Sequence, residues 1–288
     1  MNRAVIDIGS NSVRLMLDEG KFLNSKFLAT TQIAEGLNHS GKLNAEAMER
    51  TSEAVKEFCS AAKTAGAEKI YIFATEAVRA AANSAEFAKT VTRKTGLPVD
   101  IIDGSSEAEL GFLGAAENGV LSTVIDVGGA SVEIVTGTVP VVDYSCSLAI
   151  GVVRLKEMFG ANYTGLQKKL AVDLQEYGNL IPSEAYIAVG GTAGTLGAIN
   201  LNLTGYDPAR VHGATLTLAG LKKTEALLKV LAPEEIMAKH PFIGARRATV
   251  ITHGAILLRM IMEYAGISSL TVSERDNLEG YLKKHAGI

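Results

Sequence analysis

A nine-residue pattern that occurs twice is the sequence feature that most constrains the fold of this chain. Residues 5–13 read Val-Ile-Asp-Ile-Gly-Ser-Asn-Ser-Val and residues 124–132 read Val-Ile-Asp-Val-Gly-Gly-Ala-Ser-Val, so six of nine positions are identical. In each copy an apolar run ends near an aspartate, a glycine-containing turn follows and a second apolar run begins, which is typical of a β-hairpin. Chance similarity between two Val/Gly-rich strands is the alternative. Because both copies restart the same hairpin with the same aspartate, Asp7 or Asp126, we interpret the chain as a duplicated domain.

Strand and helix signals alternate along the whole chain, which favours an α/β architecture. The predicted strands are Ala4–Asp7, Val13–Leu17, Lys69–Ala74, Val99–Asp103, Thr123–Asp126, Val132–Val135, Ala185–Val189 and Leu270–Ser273. The predicted helices are one capped by Asn44 and ending near Gly66, Ser84–Thr95, Ser106–Asn118 capped by Ser105, Val152–Phe159, Leu166–Asn179, Leu218–Leu231, Ala248–Tyr264 and Glu274–His285. A chain of 288 residues is long enough for two cores. We therefore expect domains at 1–120 and 121–288, with the C-terminal helix either in the second domain or packed back on the first.

The composition excludes several classes of partner. The net charge is −3, so the chain lacks the overall basic field that attracts nucleic acid, and we expect no nucleic-acid partner. The longest apolar stretch, Ala255–Ala265, is interrupted by Arg259 and Glu263 and is too short to cross a bilayer. No secretion signal is visible at the N-terminus, and the two cysteines have no metal-binding spacing. We expect a cytoplasmic protein without a membrane partner.

The two repeated turns have the residue types that bind phosphate together with a divalent metal. Glycine lets the backbone approach an anion, turn N–H groups point at it and serine hydroxyls add donors. An aspartate at the strand end, here Asp7 or Asp126, holds Mg²⁺, because Mg²⁺ favours carboxylates combined with substrate oxygens. The alternative is two ordinary hairpin turns, each with a solvated aspartate. The candidate phosphate-binding residues are Gly9, Ser10, Asn11 and Ser12, and Gly128, Gly129, Ala130 and Ser131.

Three further features could carry chemistry. Glu107 begins a predicted helix and could take a proton from water, although acids are common in first helical turns because of the helix dipole. Arg79 follows a buried strand and could neutralise a phosphoryl group; an ordinary surface arginine is the alternative. The loop Gly190–Thr195, with Gly191 and Thr192, could bind a phosphate or a purine ring, or be a plain turn between a strand and a helix. The sequence has no G-x-x-x-x-G-K-[ST], His-Glu-x-x-His or Cys-x-x-Cys motif.

Taken in order, these segments resemble the exopolyphosphatase/guanosine pentaphosphate phosphatase (Ppx/GppA) family along nearly the whole chain. The segments that carry the resemblance are residues 7–12 (Asp-Ile-Gly-Ser-Asn-Ser), 74–79 (Ala-Thr-Glu-Ala-Val-Arg), 101–108 (Ile-Ile-Asp-Gly-Ser-Ser-Glu-Ala), 126–133 (Asp-Val-Gly-Gly-Ala-Ser-Val-Glu), 150–155 (Ile-Gly-Val-Val-Arg-Leu) and 190–195. Each segment alone is weakly diagnostic, whereas the ordered set is specific.

The resemblance implies an actin/hexokinase-like (ribonuclease H-like) duplicated two-domain fold with an interdomain cleft. It also implies release of terminal phosphate from polyphosphate or from guanosine pentaphosphate, with Mg²⁺ or alternatively Mn²⁺ as the cofactor. Glu107 matches the family's general base and Arg79 a phosphate-contacting arginine. Asp126 and Glu133 match the acids linked to metal and catalysis, with Asp7 as a further candidate. A homodimer is implied by the resemblance alone.

Departures from the family pattern bear on substrate choice and efficiency. Ala130 stands where a third glycine is usual, and Ser106 and Glu109 replace the residues that often flank the catalytic glutamate. By this resemblance we expect a short form of the family, without the extra C-terminal helical domains of the long members. Our leading hypothesis is an exopolyphosphatase, with a guanosine pentaphosphate phosphatase second. The alternatives from other classes are a non-catalytic nucleotide or alarmone sensor and a kinase of the same superfamily.

Overall fold

The computed structural model describes residues 2–21 and 23–286. Packing divides the chain into two compact units, the first comprising residues up to Glu107 together with those from Lys284 onwards, and the second Ala108–Lys283. Among the described residues, no helix combines the length and apolar character that a membrane crossing requires.

The described part of the first unit contains a five-stranded sheet and four helices. Its strands are β1 (Arg3–Ile8), β2 (Ser12–Asp18), β3 (Ser25–Thr30), β4 (Lys69–Ala74) and β5 (Asp100–Ile101), and its helices are α1 (Leu37–Ser40), α2 (Ala45–Thr64), α3 (Glu76–Ala80) and α4 (Ser84–Thr95). The strand order is β3-β2-β1-β4-β5. Strand β2 pairs antiparallel with both β1 and β3, whereas β4 lies parallel to both β1 and β5.

Helix α5 (Gly104–Ala115) begins in the first unit and ends in the second. The strands that follow are β6 (Ser122–Val127), β7 (Val132–Thr138), β8 (Val141–Leu148), β9 (Ala185–Val189), β10 (Thr215–Thr217) and β11 (Ser269–Val272). The helices that follow are α6 (Val152–Phe159), α7 (Tyr163–Asp173), α8 (Gly190–Asn200), α9 (Pro208–Val211), α10 (Leu218–Leu228), α11 (Pro233–Lys239), α12 (Ala245–Ala248), α13 (Ile251–Tyr264) and α14 (Asn277–Ala286).

The second sheet repeats the strand order of the first. Its order is β10-β11-β9-β6-β7-β8, so β6, β7, β8, β9 and β11 occupy the places of β1 to β5, and β10 is an addition. The antiparallel and parallel pairings also correspond strand for strand. Two sheets of the same topology, each covered by helices, confirm the duplicated α/β fold of the actin/hexokinase-like class.

The packing boundary falls inside α5, between Glu107 and Ala108. The domain limits 1–120 and 121–288 follow from the sequence repeat, and they stay a prediction. The last turn of α14, from Lys284, is grouped with the first unit. There the Tyr71 hydroxyl donates to the carbonyl of His285 at 3.3 Å.

Several predicted elements are confirmed to the residue or nearly so. Both hairpins are present, β4, α4, α6 and β9 have the predicted bounds, and Asn44 caps α2 by accepting from the Ala47 N–H at 2.7 Å. The expected cap at Ser105 is wrong, because α5 begins at Gly104 and the Asp103 carboxylate accepts from the Ser106 N–H at 2.7 Å. That hydrogen bond, with a smaller effect of the nearby Arg79 charge, lowers the pKa of Asp103 below its ordinary value of 3.8.

The prediction of a loop at Gly190–Thr195 is wrong as well, because these residues form the first turns of α8. A Gly/Thr-rich run has low helix propensity, but residues 192–199 of α8 are buried. Burial against the second core therefore outweighs local propensity. The sequence analysis does not predict strands β3, β8 and β10 or the short helices α1, α3, α9, α11 and α12.

Helix α5 crosses α14 at backbone contact distance. The glycines Gly111 and Gly114 of α5 face α14, and Gly280 of α14 faces α5. A side-chain carbon added at Gly280 would overlap the backbone carbonyl of Leu110, and one at Gly114 would overlap that of Asp276. The close approach of the two helices therefore requires glycine on both.

We predict that Gly280→Ala destabilises the protein although alanine is the better helix former. The added methyl group meets a backbone atom that cannot rotate away, so the free energy of unfolding should fall by about 1–3 kcal/mol. Urea denaturation followed by circular dichroism measures this. Gly205→Ala is the control, because a side chain there meets nothing within 4 Å. Equal midpoints for the two variants would contradict the tight helix crossing.

Candidate active site

The first hairpin places Asp7 next to an arginine. Asp7 is directly opposite Arg14 in the β1/β2 register. Its carboxylate is 4% exposed, and Oδ2 accepts from Arg14 Nε at 3.0 Å and Nη2 at 2.5 Å. The turn itself is closed by the Gly9 N–H, which donates to the Ser12 carbonyl at 3.0 Å. Asp7 is thus held by an ion pair inside its own hairpin, and its role as a metal ligand stays a prediction.

The predicted base Glu107 and Arg79 are brought together in the first unit. Arg79 lies on α3, which directly follows β4, and Glu107 lies in the first turn of α5. The Arg79 guanidinium donates from Nη1 to the Ile102 carbonyl at 2.7 Å and lies 3.4 Å from Glu107 Oε2. The two side chains are 30% and 27% exposed. The carboxylate is therefore oriented by a fixed arginine and still reachable by water.

The second hairpin places two acids opposite each other. Asp126 on β6 is directly opposite Glu133 on β7, at the register position that Asp7 and Arg14 occupy in the first hairpin. Glu133 Oε1 accepts a hydrogen bond from the Ser147 hydroxyl at 2.7 Å. Like charges directly opposite in an antiparallel pair destabilise it. The pair is therefore a place where a bound cation would be favourable.

The first residue of α8, Gly190, lies next to the Asp126 carboxylate. Gly190 has φ +80°, and a side-chain carbon there would lie 2.5 Å from Asp126 Oδ1, so glycine is required both for the backbone and for the carboxylate. The Thr192 hydroxyl donates to the Val127 carbonyl at 2.8 Å, which ties α8 to the end of β6. The roles predicted for Gly191 and Thr192 in phosphate binding stay predictions.

The sequence reasoning missed Arg247, which lies on α12. A side-chain carbon at Gly191 would overlap the Arg247 guanidinium, and Arg247 Nη1 donates to Thr195 Oγ1 at 3.2 Å. An arginine thus covers the beginning of α8. Its sequence context, Gly-Ala-Arg-Arg-Ala, has no spacing that relates it to the glycines it touches. Arg14 and Ser147 were missed for the same reason.

The acids of the second hairpin fit a magnesium ion better than a metal held by protein alone. Among residues 2–21 and 23–286, no group of three His, Cys, Asp or Glu side chains could hold a metal. Mg²⁺ typically binds one or two carboxylates and takes its remaining ligands from water and phosphate oxygens. The pair Asp126 and Glu133 meets that requirement, and the glycine at position 190 leaves room beside Asp126 Oδ1.

The chain is similar to known proteins along most of its length. The sequence pattern of the Ppx/GppA phosphatase family matches residues 23–286. Exopolyphosphatase 2 of Mycobacterium tuberculosis is 33% identical over 99% of this chain and 98% of that protein. A bifunctional 3-dehydroquinate synthase/phosphatase of Fusobacterium nucleatum is 30% identical over 96% of this chain, which spans 46% of that longer protein.

Solved structures of Ppx/GppA proteins are also similar to this chain. The crystal structure of the Aquifex aeolicus Ppx/GppA family member aligns with a TM-score of 0.88 and 30% identity, covering 99% of this chain and 97% of that one. A type II variant of the Aquifex aeolicus phosphatase aligns with a TM-score of 0.85, 31% identity and 99% coverage of both chains. This chain therefore belongs to the Ppx/GppA phosphatase family, whose members are hydrolases of phosphoanhydride bonds.

Proposed function

We propose that this protein is an exopolyphosphatase, which releases the terminal phosphate of inorganic polyphosphate, with guanosine pentaphosphate as the alternative substrate. The observation that carries the chemistry is the oriented carboxylate of Glu107, fixed beside Arg79 and partly exposed to water. The similarity to an exopolyphosphatase along almost the full length of both proteins supports the choice of polyphosphate.

In the proposed reaction Glu107 accepts a proton from a water molecule. The water oxygen attacks the terminal phosphorus in line with the bridging oxygen, and that P–O bond breaks to release phosphate and a chain one unit shorter. General-base assistance of this kind contributes about 10²–10⁴-fold to a rate. Arg79 keeps the Glu107 carboxylate in place through the guanidinium that also binds the Ile102 carbonyl. The rest of the acceleration comes from positioning and electrostatics, as in other phosphoryl transfers.

Asp126 and Glu133 are proposed to hold Mg²⁺, which when bound supplies positive charge to the phosphate oxygens. The proposal rests on the contrast between the hairpins. Asp7 has an arginine opposite it, whereas Asp126 has a second acid opposite it. A cation removes the repulsion in the second hairpin. In the first hairpin Arg14 already supplies the positive charge.

The cytoplasmic location and the homodimer expected from the sequence stay predictions. So does the length of polyphosphate that the protein prefers. The assays below compare short and long chains as well as guanosine pentaphosphate, so that substrate class and chain length are measured together.

We predict that Glu107→Gln lowers kcat by at least about 100-fold, because the amide cannot accept the proton. Phosphate release from short polyphosphate, long polyphosphate and guanosine pentaphosphate is the measurement. Glu117→Gln is the control, since Glu117 is exposed just beyond the end of α5. Release that persists in Glu107→Gln would exclude this base. If the wild type releases phosphate from none of the substrates but binds nucleotide, the sensor hypothesis is favoured.

We predict that removal of divalent metal with EDTA abolishes activity and that Mg²⁺ or Mn²⁺ restores it. Asp126→Asn should raise the Mg²⁺ concentration for half-maximal activity by about tenfold or more, because one carboxylate charge is lost from a site with two. Asp143→Asn, on the exposed face of β8, should leave that concentration unchanged. Full activity in the presence of EDTA would contradict the metal assignment.

We predict that Gly190→Ala lowers kcat/KM by about 10- to 100-fold, because small displacements of positioned groups have effects of this size. The added methyl group would push on Asp126 Oδ1. Gly266→Ala is a matched control, with φ +68° and nothing within 4 Å of the added carbon. It introduces the same kind of backbone strain away from the acids. An equal loss in both variants would show that strain alone, and not Asp126, is responsible.

A further inference from the structure

Three backbone carbonyls of the second glycine turn, those of Gly128, Gly129 and Ala130, point toward the beginning of α6. The N–H groups of residues 151–153 donate to the carbonyls of residues 128–130 at 2.8–3.0 Å; the pairs are Gly151 to Ala130, Val152 to Gly128 and Val153 to Gly129. Three consecutive carbonyls of the turn are therefore hydrogen-bonded on one side. The first N–H groups of a helix have no partner within the helix, so these bonds satisfy both the helix and the turn.

The fixed carbonyls determine where the N–H groups of the turn point. In a trans peptide the C=O of one residue and the N–H of the next lie on opposite sides of the same plane. Because the carbonyls of residues 128–130 point at α6, the N–H groups of residues 129–131 point away from it. Consecutive N–H groups on one side of a turn form an anion-binding concavity. The contact with α6 thus prepares the turn to bind phosphate.

The first glycine turn is held in the same manner by a different segment. The carbonyl of Asn11 accepts from the N–H groups of Thr31 and Gln32 at 3.1 and 2.9 Å, and that of Ser10 accepts from Ala34 at 3.1 Å. Gln32 has φ +54°, a conformation that is costly for a residue with a side chain and persists only where the surroundings enforce it. In both units, therefore, a neighbouring segment donates hydrogen bonds to backbone carbonyls of the glycine turn.

Gly151 is the residue on which this support depends in the second unit. A side-chain carbon at Gly151 would overlap the backbone of Gly129 and Ala130. Its own backbone, with φ −68° and ψ 160°, is one that any residue adopts. Glycine is therefore required at this position by the turn that packs on it and not by the conformation of residue 151.

We propose that Gly151 is a positioning residue for substrate binding: by allowing the start of α6 to contact the carbonyls of Gly128–Ala130, it directs the N–H groups of that turn at substrate phosphate. The inference rests on the proposed function, because it assigns the second turn to the binding of a phosphate chain. A positioning role differs from a purely structural role in its consequence: replacing Gly151 should weaken phosphate binding in a protein that remains folded.

The test compares two alanine variants at opposite ends of α6. Gly151→Ala displaces the turn, so KM for short polyphosphate should rise about tenfold or more while kcat changes by less than about threefold, the pattern of lost ground-state binding. Gly160→Ala, at the C-terminal end, places alanine at φ +50° with nothing within 4 Å. It should lower the melting temperature and leave KM unchanged. Calorimetric titration with inorganic tripolyphosphate should show the same affinity loss in Gly151→Ala only.

A measurement on the wild type covers the case in which Gly151→Ala does not fold. In NMR titrations with tripolyphosphate, the amide signals of residues 129–131 should shift, while those of residues 151–153 should stay protected from hydrogen exchange. Amides 129–131 that do not respond to bound tripolyphosphate would overturn the inference, as would an unchanged KM in folded Gly151→Ala. If tripolyphosphate binds as expected but wild type releases no phosphate, the proposed function fails and the positioning role stands.

Discussion

The cross-strand register of the two hairpins determines the electrostatics on which the rest of the site depends. In each unit the last residue but one of a buried strand is an aspartate, and the next strand pairs antiparallel with it so that one residue lies directly across from the aspartate. In the first unit that residue is Arg14, and in the second it is Glu133. The two aspartates have the same place in the fold, but the residues across from them have opposite charges. The two hairpins therefore carry one carboxylate–guanidinium ion pair and one pair of acids, and the magnesium ion that we propose is assigned to the pair of acids.

Helix α5, which has Glu107 in its first turn, makes contacts with residues far away in the sequence. The helix starts at the Asp103 cap, and near its C-terminal end Gly114 and Gly280 allow its backbone to touch the backbone of α14. The Glu107 side chain is itself held by Arg79, whose guanidinium lies 3.4 Å from the Glu107 carboxylate.

The sequence predicted those parts of the fold whose cause is local. The hairpins follow from alternation around a glycine turn, and Asn44 caps α2 because its side chain reaches an N–H three residues away. The sequence predicts a loop where α8 begins, because a glycine run is helical only when it packs on the second core. Arg14, Arg247 and Gly151 act on residues that strand register or folding brings near them. The spacing of these residues in the sequence does not indicate such contacts, so only the three-dimensional structure identifies them.

The same contacts explain how an alanine, Ala130, can stand in the second glycine turn. Glycine is indispensable in a phosphate turn when the backbone needs a positive φ. Among the described residues, positive φ angles occur at eleven glycines and at Gln32 and Asn202, and none of these lies in residues 128–131. The direction of the N–H groups in this turn is instead set by the hydrogen bonds from residues 151–153 to its carbonyls. The methyl group of Ala130 is compatible with those bonds, whereas residue 151, which packs on the turn, has to be glycine.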